Sequence, residues 1–126
     1  MILLDTHTIY WFLSENATLP EKTRMMIEND DKVFISIISF WEMAIKNSLG
    51  KMGLPAPITE MMSSCEKLGF KILDIAPEHL ETLKSLPFIH RDPFDRLLIC
   101  QAKSENLLFV TKDENIPKYD VRTYWE

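Results

Sequence analysis

Four acidic positions fall where short apolar runs of strand character give way to helices or turns. Asp5 follows Met1-Ile-Leu-Leu4, Glu42 follows Val33-Phe-Ile-Ser36, Asp92 and Asp95 together open an apolar helix, and Asp113 follows Leu107-Leu-Phe-Val-Thr111. Strands alternating with helices point to a three-layer α/β/α domain on a mainly parallel sheet of about five strands. In such a sheet the carboxyl ends of the strands share one edge, and ligands bind in the crevice there. Acids far apart in sequence would then meet in space. Their mutual repulsion raises their pKa values, and a hard divalent cation relieves it while activating water against a phosphate ester.

The elements expected from periodicity and punctuation are strands at Ile2–Leu4, Val33–Ser36, Phe70–Ile75, Leu107–Val110 and Val121–Tyr124. Helices are expected at Thr6–Leu13, Glu21–Asn29, Ser39–Leu49, Ile58–Leu68, Pro77–Leu86 and Pro93–Glu105. Pro20 and Glu21 suit a helix start, and Gly50 suits a left-handed stop. No repeat or linker divides the 126 residues, so a single domain spanning residues 1–126 is expected, burying roughly two-thirds of its unfolded surface.

The longest apolar stretch, Val33 to Trp41, carries Ser36 and Ser39 and is far short of the roughly 20 residues that cross a bilayer. The first residues lack a basic start and a small-residue cleavage site. Cys65 and Cys100 have no metal or redox spacing and read as reduced packing residues of a cytoplasmic protein. A net charge of −5 argues against long-range attraction to nucleic acid. Several of those acids are the proposed metal ligands, however, and Lys46, Lys51, Arg91, Arg96 and Lys112 are candidates for a local basic rim.

Each acid also has a purely structural explanation. Asp5 suits an N-cap. Glu42 stands three after Ser39, as in a capping box, and four before Lys46, as in a helical ion pair. Asp92 precedes Pro93 with the signature of a cap and lies four before Arg96. Asp113 sits in a turn, where Asp is common. Asp95 stands apart: if Asp92 caps the helix, Asp95 is left for another task, and metal ligation is favoured for it over Asp92. The coincidence of acids at all these junctions tips the balance towards a shared site. Thr6, Ser36 and Thr111, at the same edge, suit either turn formation or the orientation of carboxylates and metal-bound water.

Other features weigh less. His7, His79 and His90 have no zinc spacing, and His90 beside Arg91 suits a surface turn better than a phosphate contact. Ser48-Leu-Gly-Lys51 lacks the earlier glycine and following hydroxyl of a phosphate loop. Tyr10, Trp11, Phe12, Phe40 and Trp41 mostly have core spacing, with Tyr10 and Trp11 able to supply an interaction surface.

With these residues in view, the chain resembles the PIN-domain ribonucleases, in particular the VapC-like toxins of bacterial toxin–antitoxin pairs. The resemblance is carried by Leu3-Leu-Asp-Thr-His7, Ser36-Ile-Ile-Ser-Phe-Trp-Glu42 with Ile45-Lys46, Gly50-Lys-Met-Gly-Leu-Pro55, His90-Arg-Asp-Pro-Phe-Asp-Arg-Leu-Leu98 and Leu107-Leu-Phe-Val-Thr-Lys-Asp113. It implies a five-stranded parallel sheet, a Mg²⁺- or Mn²⁺-dependent ribonuclease site, an RNA substrate, a homodimer, and an antitoxin that covers the site. Asp5, Glu42 and Asp95 match the family's core acids, and Asp113 its more variable fourth. His7 stands where many relatives have Asn or Ser, and Glu114-Asn115 where they often carry another Asp and an aromatic.

Three other readings compete. A phosphatase of the haloacid-dehalogenase kind is suggested by Asp5-Thr-His-Thr8, but His7 occupies the place of its second Asp. A receiver-like switch needs an acceptor Asp at the end of a middle strand, for which Asp74 is the one candidate. A catalytically inert PIN fold used only for binding is the third.

Overall fold

In the computed structural model, which describes residues 1–126, the chain forms five strands, six α-helices and a 3-10 turn. In order these are β1 (Ile2–Leu4), α1 (Thr6–Leu13), α2 (Glu21–Asn29), β2 (Val33–Ser36), α3 (Ile37–Ser48), α4 (Ile58–Lys67), β3 (Lys71–Leu73), α5 (Pro77–Lys84), α6 (Pro93–Ser104), β4 (Leu108–Val110), the turn at Ile116–Lys118, and β5 (Thr123–Tyr124). The sheet is parallel throughout, in the order β3-β2-β1-β4-β5.

Alternation along the strands builds the layers. Ile2, Leu4, Val33, Ile35 and Val110 face one cluster, with Ile9 of α1, Ile27 of α2 and Met61 and Cys65 of α4. Leu3 and Phe109 face the opposite way, against Leu97–Cys100 of α6 and Ile116. All three residues of β1 are buried, as a central parallel strand covered on both faces requires. No helix is long and apolar enough to cross a membrane.

Several expected boundaries move. Helix α3 begins at Ile37, because Ser36 caps it by accepting the Ile38 N–H at 3.1 Å. The expected Ser39–Glu42 capping box is therefore absent, and Ser39 lies buried inside the helix. Strand β3 stops at Leu73 and lies at the sheet edge. Asp74 is thus an exposed residue beyond an edge strand, not at the end of a middle strand, which removes the physical basis of the receiver reading. Gly50 and Gly69 end α3 and α4 with φ of +70° and +87°, the left-handed region in which glycine meets no Cβ penalty.

From β1 the chain works outward through β2 to β3, then returns to lay down β4 and β5 on the other side of β1. The carboxyl ends of β1 and β4 therefore flank the topological switch point, where an open α/β sheet leaves its crevice. Register pairs Leu4 with Val110, so Asp5 and Thr111 emerge side by side.

Candidate active site

The cleft at that switch point has a volume of about 400 Å³. Its walls carry six carboxylates (Asp5, Glu42, Asp92, Asp95, Asp113 and Glu114) against two ammonium groups, Lys46 and Lys112. All four acidic junctions read from the sequence therefore open into one place.

Asp5 is fixed at both oxygens. Oδ1 accepts the Thr6 N–H at 2.8 Å, capping α1, and Oδ2 accepts the Thr111 hydroxyl at 2.6 Å. The capping reading and the shared-site placement thus hold together, one for each oxygen. Burial nonetheless raises the Asp5 pKa to about 6. The Thr111 and Thr6 bonds oppose that rise, and the Glu42 and Asp113 carboxylates add to it.

Glu42 is held by two groups. Its Oε1 accepts from Thr6 Oγ1 at 2.7 Å, and Thr6 also reaches Ser39 Oγ at 3.0 Å. Its Oε2 pairs with Lys46 at 2.6 Å, the expected i,i+4 contact. Burial disfavours charge on Lys46, but the bond to Glu42 and the fields of Glu42, Asp92 and Asp95 outweigh it and raise its pKa.

Asp92 caps α6, its Oδ1 accepting from Phe94 N at 2.8 Å and Asp95 N at 3.2 Å. Asp95, one turn in, has its pKa pushed up to about 8, by burial first and then by Asp5, Asp92, Glu42 and Asp113. Asp113 closes its turn through Oδ1, which accepts the Asn115 N–H at 2.8 Å, while its own N–H donates to Thr111 Oγ1 at 3.1 Å. Thr111 thus ties Asp5 to Asp113.

His90 is the residue that sequence reasoning missed. Its Nε2 lies 3.1 Å from Asp95 Oδ2 and 3.0 Å from Asp113 Oδ2, and the three side chains offer donor atoms all within 4.8 Å of one another. Of the candidate site acids, this triplet includes Asp95 and Asp113. Nδ1 accepts the Asp92 N–H at 3.2 Å, which leaves the ring hydrogen on Nε2, aimed at the two carboxylates. The one signal in the sequence was a histidine two residues before a helix cap.

The basic rim divides. Lys46 and Lys112 line the cleft, whereas Lys51 and Arg91 are exposed and lie outside it. Arg96 is a correction: neither a substrate contact nor an ion pair with Asp92, it is buried. Its guanidinium donates to the carbonyls of Leu86 (3.3 Å), Pro87 (2.9 Å) and His90 (3.4 Å) and lies over the Phe88 ring. Tyr119 Oη accepts from Ile89 N at 3.1 Å and His90 N at 2.7 Å. Arg96 and Tyr119 therefore clamp the loop that presents His90. Ser36, expected to support the carboxylates, instead caps α3.

The donor set fits a hard divalent cation. It is mostly carboxylate oxygen, it carries a surplus of negative charge over its lysines, and burial, together with the neighbouring carboxylates, raises the pKa values of Asp5 and Asp95 above the ordinary range. Asp5 and Asp95 have the most to gain from an ion, with Asp113 and Glu42 beside them.

A parallel α/β sheet with an acid-lined crevice at its switch point defines a class of protein: open α/β domains whose ligand crevice is built from carboxylates at the strand ends. Within that class this chain belongs to the PIN domain family, whose model matches residues 2–122. It is 28% identical over 116 residues to Ribonuclease VapC22 of Mycobacterium tuberculosis, covering 91% of this chain and 88% of that protein. Among solved structures it is similar to the VapBC2 complex of Rickettsia felis bound to a promoter DNA fragment, with TM-score 0.71, 15% identity and all of both chains covered. It is also similar to a DNA-bound VapBC of Salmonella typhimurium, with TM-score 0.68, 20% identity and 98% of each chain covered. At these identities the two structures establish the shared fold.

Proposed function

We propose that this protein is a metal-dependent endoribonuclease that hydrolyses RNA phosphodiester bonds, and the toxin of a toxin–antitoxin pair. The observation that carries the reading is the convergence of Asp5, Glu42, Asp95 and Asp113 from separate sheet-edge junctions into one cleft. Membership of the PIN family and the likeness to a ribonuclease over nine-tenths of the chain support it. Its partners in this reading are RNA, a cognate antitoxin that covers the cleft and a second copy of the chain. Its working form is a single domain in the cytoplasm.

A bound Mg²⁺ or Mn²⁺ supplies an activated water and neutralises charge developing on the phosphate. Asp5 and Asp95 hold the ion, with Glu42 and Asp113 completing the acidic ring. Thr111 and Thr6 fix the Asp5 carboxylate through one bond to each oxygen. Thr6 and Lys46 do the same for Glu42, so neither acid has to reorganise as charge builds. Lys46 and Lys112, the cations at the wall, attract the phosphate backbone. No nucleophilic side chain is required. A haloacid-dehalogenase mechanism has no second Asp to use, because His7 stands two residues after Asp5 and lines the cleft instead.

The test is cleavage of a mixed RNA pool with Mg²⁺ or Mn²⁺. Asp5→Asn and Asp95→Asn are expected to cut cleavage by roughly 10²–10³-fold or more, the scale of losing one charge-stabilising group, with circular dichroism unchanged. Full activity in both purified variants overturns the reading.

A further inference from the structure

One wall of the cleft is left unexplained by the acids. Trp11 is the only apolar side chain that lines it. His7 stands four residues earlier on α1, so both rings share one face of the helix. Their centroids are 5.3 Å apart and their planes tilt by 40°. Trp125 braces the indole at 5.9 Å, and Lys112 Nζ lies 5.8 Å from its ring centroid. Trp11 packs against the core yet stays half-exposed, and His7 is exposed. The two lysines of the wall also differ: Lys46 is tied to Glu42 at 2.6 Å, whereas Lys112 has no carboxylate within 4.0 Å.

We propose that Trp11, flanked by His7 and Lys112, is a stacking subsite for the nucleobase of one nucleotide next to the scissile phosphate. This rests on the ribonuclease reading above. A base in an A-form duplex is stacked between its neighbours and has no free face to offer, whereas a splayed base in a strand or loop does. An aromatic platform beside a cation is how proteins take such a base without reading its identity, the cation meeting the backbone and the ring meeting the π-face. The acids alone would accept any phosphodiester. Trp11 adds a contact with the base of the nucleotide beside the cut.

The experiment uses one short single-stranded RNA with a single cut site, together with versions in which one nucleotide on either side of the cut is abasic. For the wild-type protein, one abasic position is expected to lower kcat/KM by roughly 5- to 150-fold, the range for loss of a single base–aromatic stack, mainly through KM. Trp11→Ala should cleave the intact RNA that much more slowly and lose nothing further on the abasic one. Trp11→Phe should keep most of the wild-type rate. If Trp11→Ala does not fold, the abasic series on wild type and Trp11→Phe still decides. Equal cleavage of every abasic substrate, or the same abasic penalty with and without the indole, overturns the subsite. Cleavage that persists in Asp95→Asn, or is absent from wild type, overturns the ribonuclease reading instead.

Discussion

Two histidines in this protein sit in almost the same local geometry with opposite results. His79, fully buried between α5 and α6, accepts the Ala76 N–H on Nδ1 at 2.9 Å and meets Glu105 Oε2 through Nε2 at 3.1 Å. His90, at the cleft, accepts the Asp92 N–H on Nδ1 and meets Asp95 and Asp113 through Nε2. In the first region one donor serves one carboxylate, and the only buried side-chain atom left without a partner is Gln101 Oε1 nearby. In the second, a single N–H faces two carboxylates, with Asp5, Glu42 and Asp92 behind them. The local hydrogen-bond pattern does not tell a structural histidine from a functional one. The balance of charge around it does.

The sharpest way to break this comparison is to remove each region's pivot. His79→Ala deletes two buried hydrogen bonds and leaves a cavity, which together cost about 3 kcal/mol. At roughly 4 °C per kcal/mol for a domain of this size, the melting temperature should fall by about 12 °C. Cleavage by the folded protein at lower temperature should be unchanged. A melting temperature that stays put would show the α5–α6 cluster to be dispensable, and a selective loss of cleavage would tie it to the site.

The acid region should respond in the opposite direction. Asp5 and Asp95 have pKa values raised above the ordinary carboxylate range, to about 6 and about 8, so the folded state holds protons that the unfolded chain releases. Stability in the absence of metal is then greatest below about pH 4 as far as these two groups are concerned, and it is lost as pH climbs through about 6 and then about 8. Thermal melts in a chelating buffer should show this decline. Asp95→Asn should flatten its upper part, raising the melting temperature near pH 8 by roughly 4–8 °C, and saturating Mn²⁺ should flatten it for wild type. Were Asp95→Asn to lower the melting temperature at every pH, buried hydrogen bonding rather than ion binding would be the main task of that carboxyl.

These two regions also mark how far the sequence could be read. The acids were legible because one topological rule, that strand ends of a parallel sheet share an edge, places Asp5, Glu42, Asp95 and Asp113 without any detail of packing. The caps of α1 and α6 were legible because capping is local. The start of α3 was misplaced because Ser39 and Glu42 have local capping-box spacing, while the strand, in register with β3 at Ser36 and Leu73, hands the cap to Ser36 and leaves Ser39 to meet Thr6. Arg96 looked like a partner for Asp92 at i,i+4, yet the carbonyls of the Leu86–His90 loop, which no periodicity reveals, claim its guanidinium. His90 was invisible for the same reason, since Asp113 lies 23 residues away and only the finished sheet brings them together.

The finest discrimination between the two histidines comes from metal affinity. As it stands, His90 carries its hydrogen on Nε2, because Nδ1 is occupied by the Asp92 N–H, and so acts as a donor to Asp95 and Asp113, not as a metal ligand. A cation drawn to those carboxylates must displace it. His90→Ala should therefore tighten Mn²⁺ binding several-fold, about 1 kcal/mol for the loss of one net hydrogen-bonding competitor, as read by isothermal titration calorimetry. The same change leaves Asp95 and Asp113 facing each other unbridged, so the metal-free protein should melt slightly lower and gain more on adding Mn²⁺. His79→Ala should change neither the Mn²⁺ affinity nor the gain in melting temperature on adding Mn²⁺, since Glu105 lies outside the cleft. Weaker Mn²⁺ binding in His90→Ala would mean that the ring turns over and offers Nε2 as a ligand, and the site would then favour Mn²⁺ over Mg²⁺ because nitrogen donors suit the softer ion.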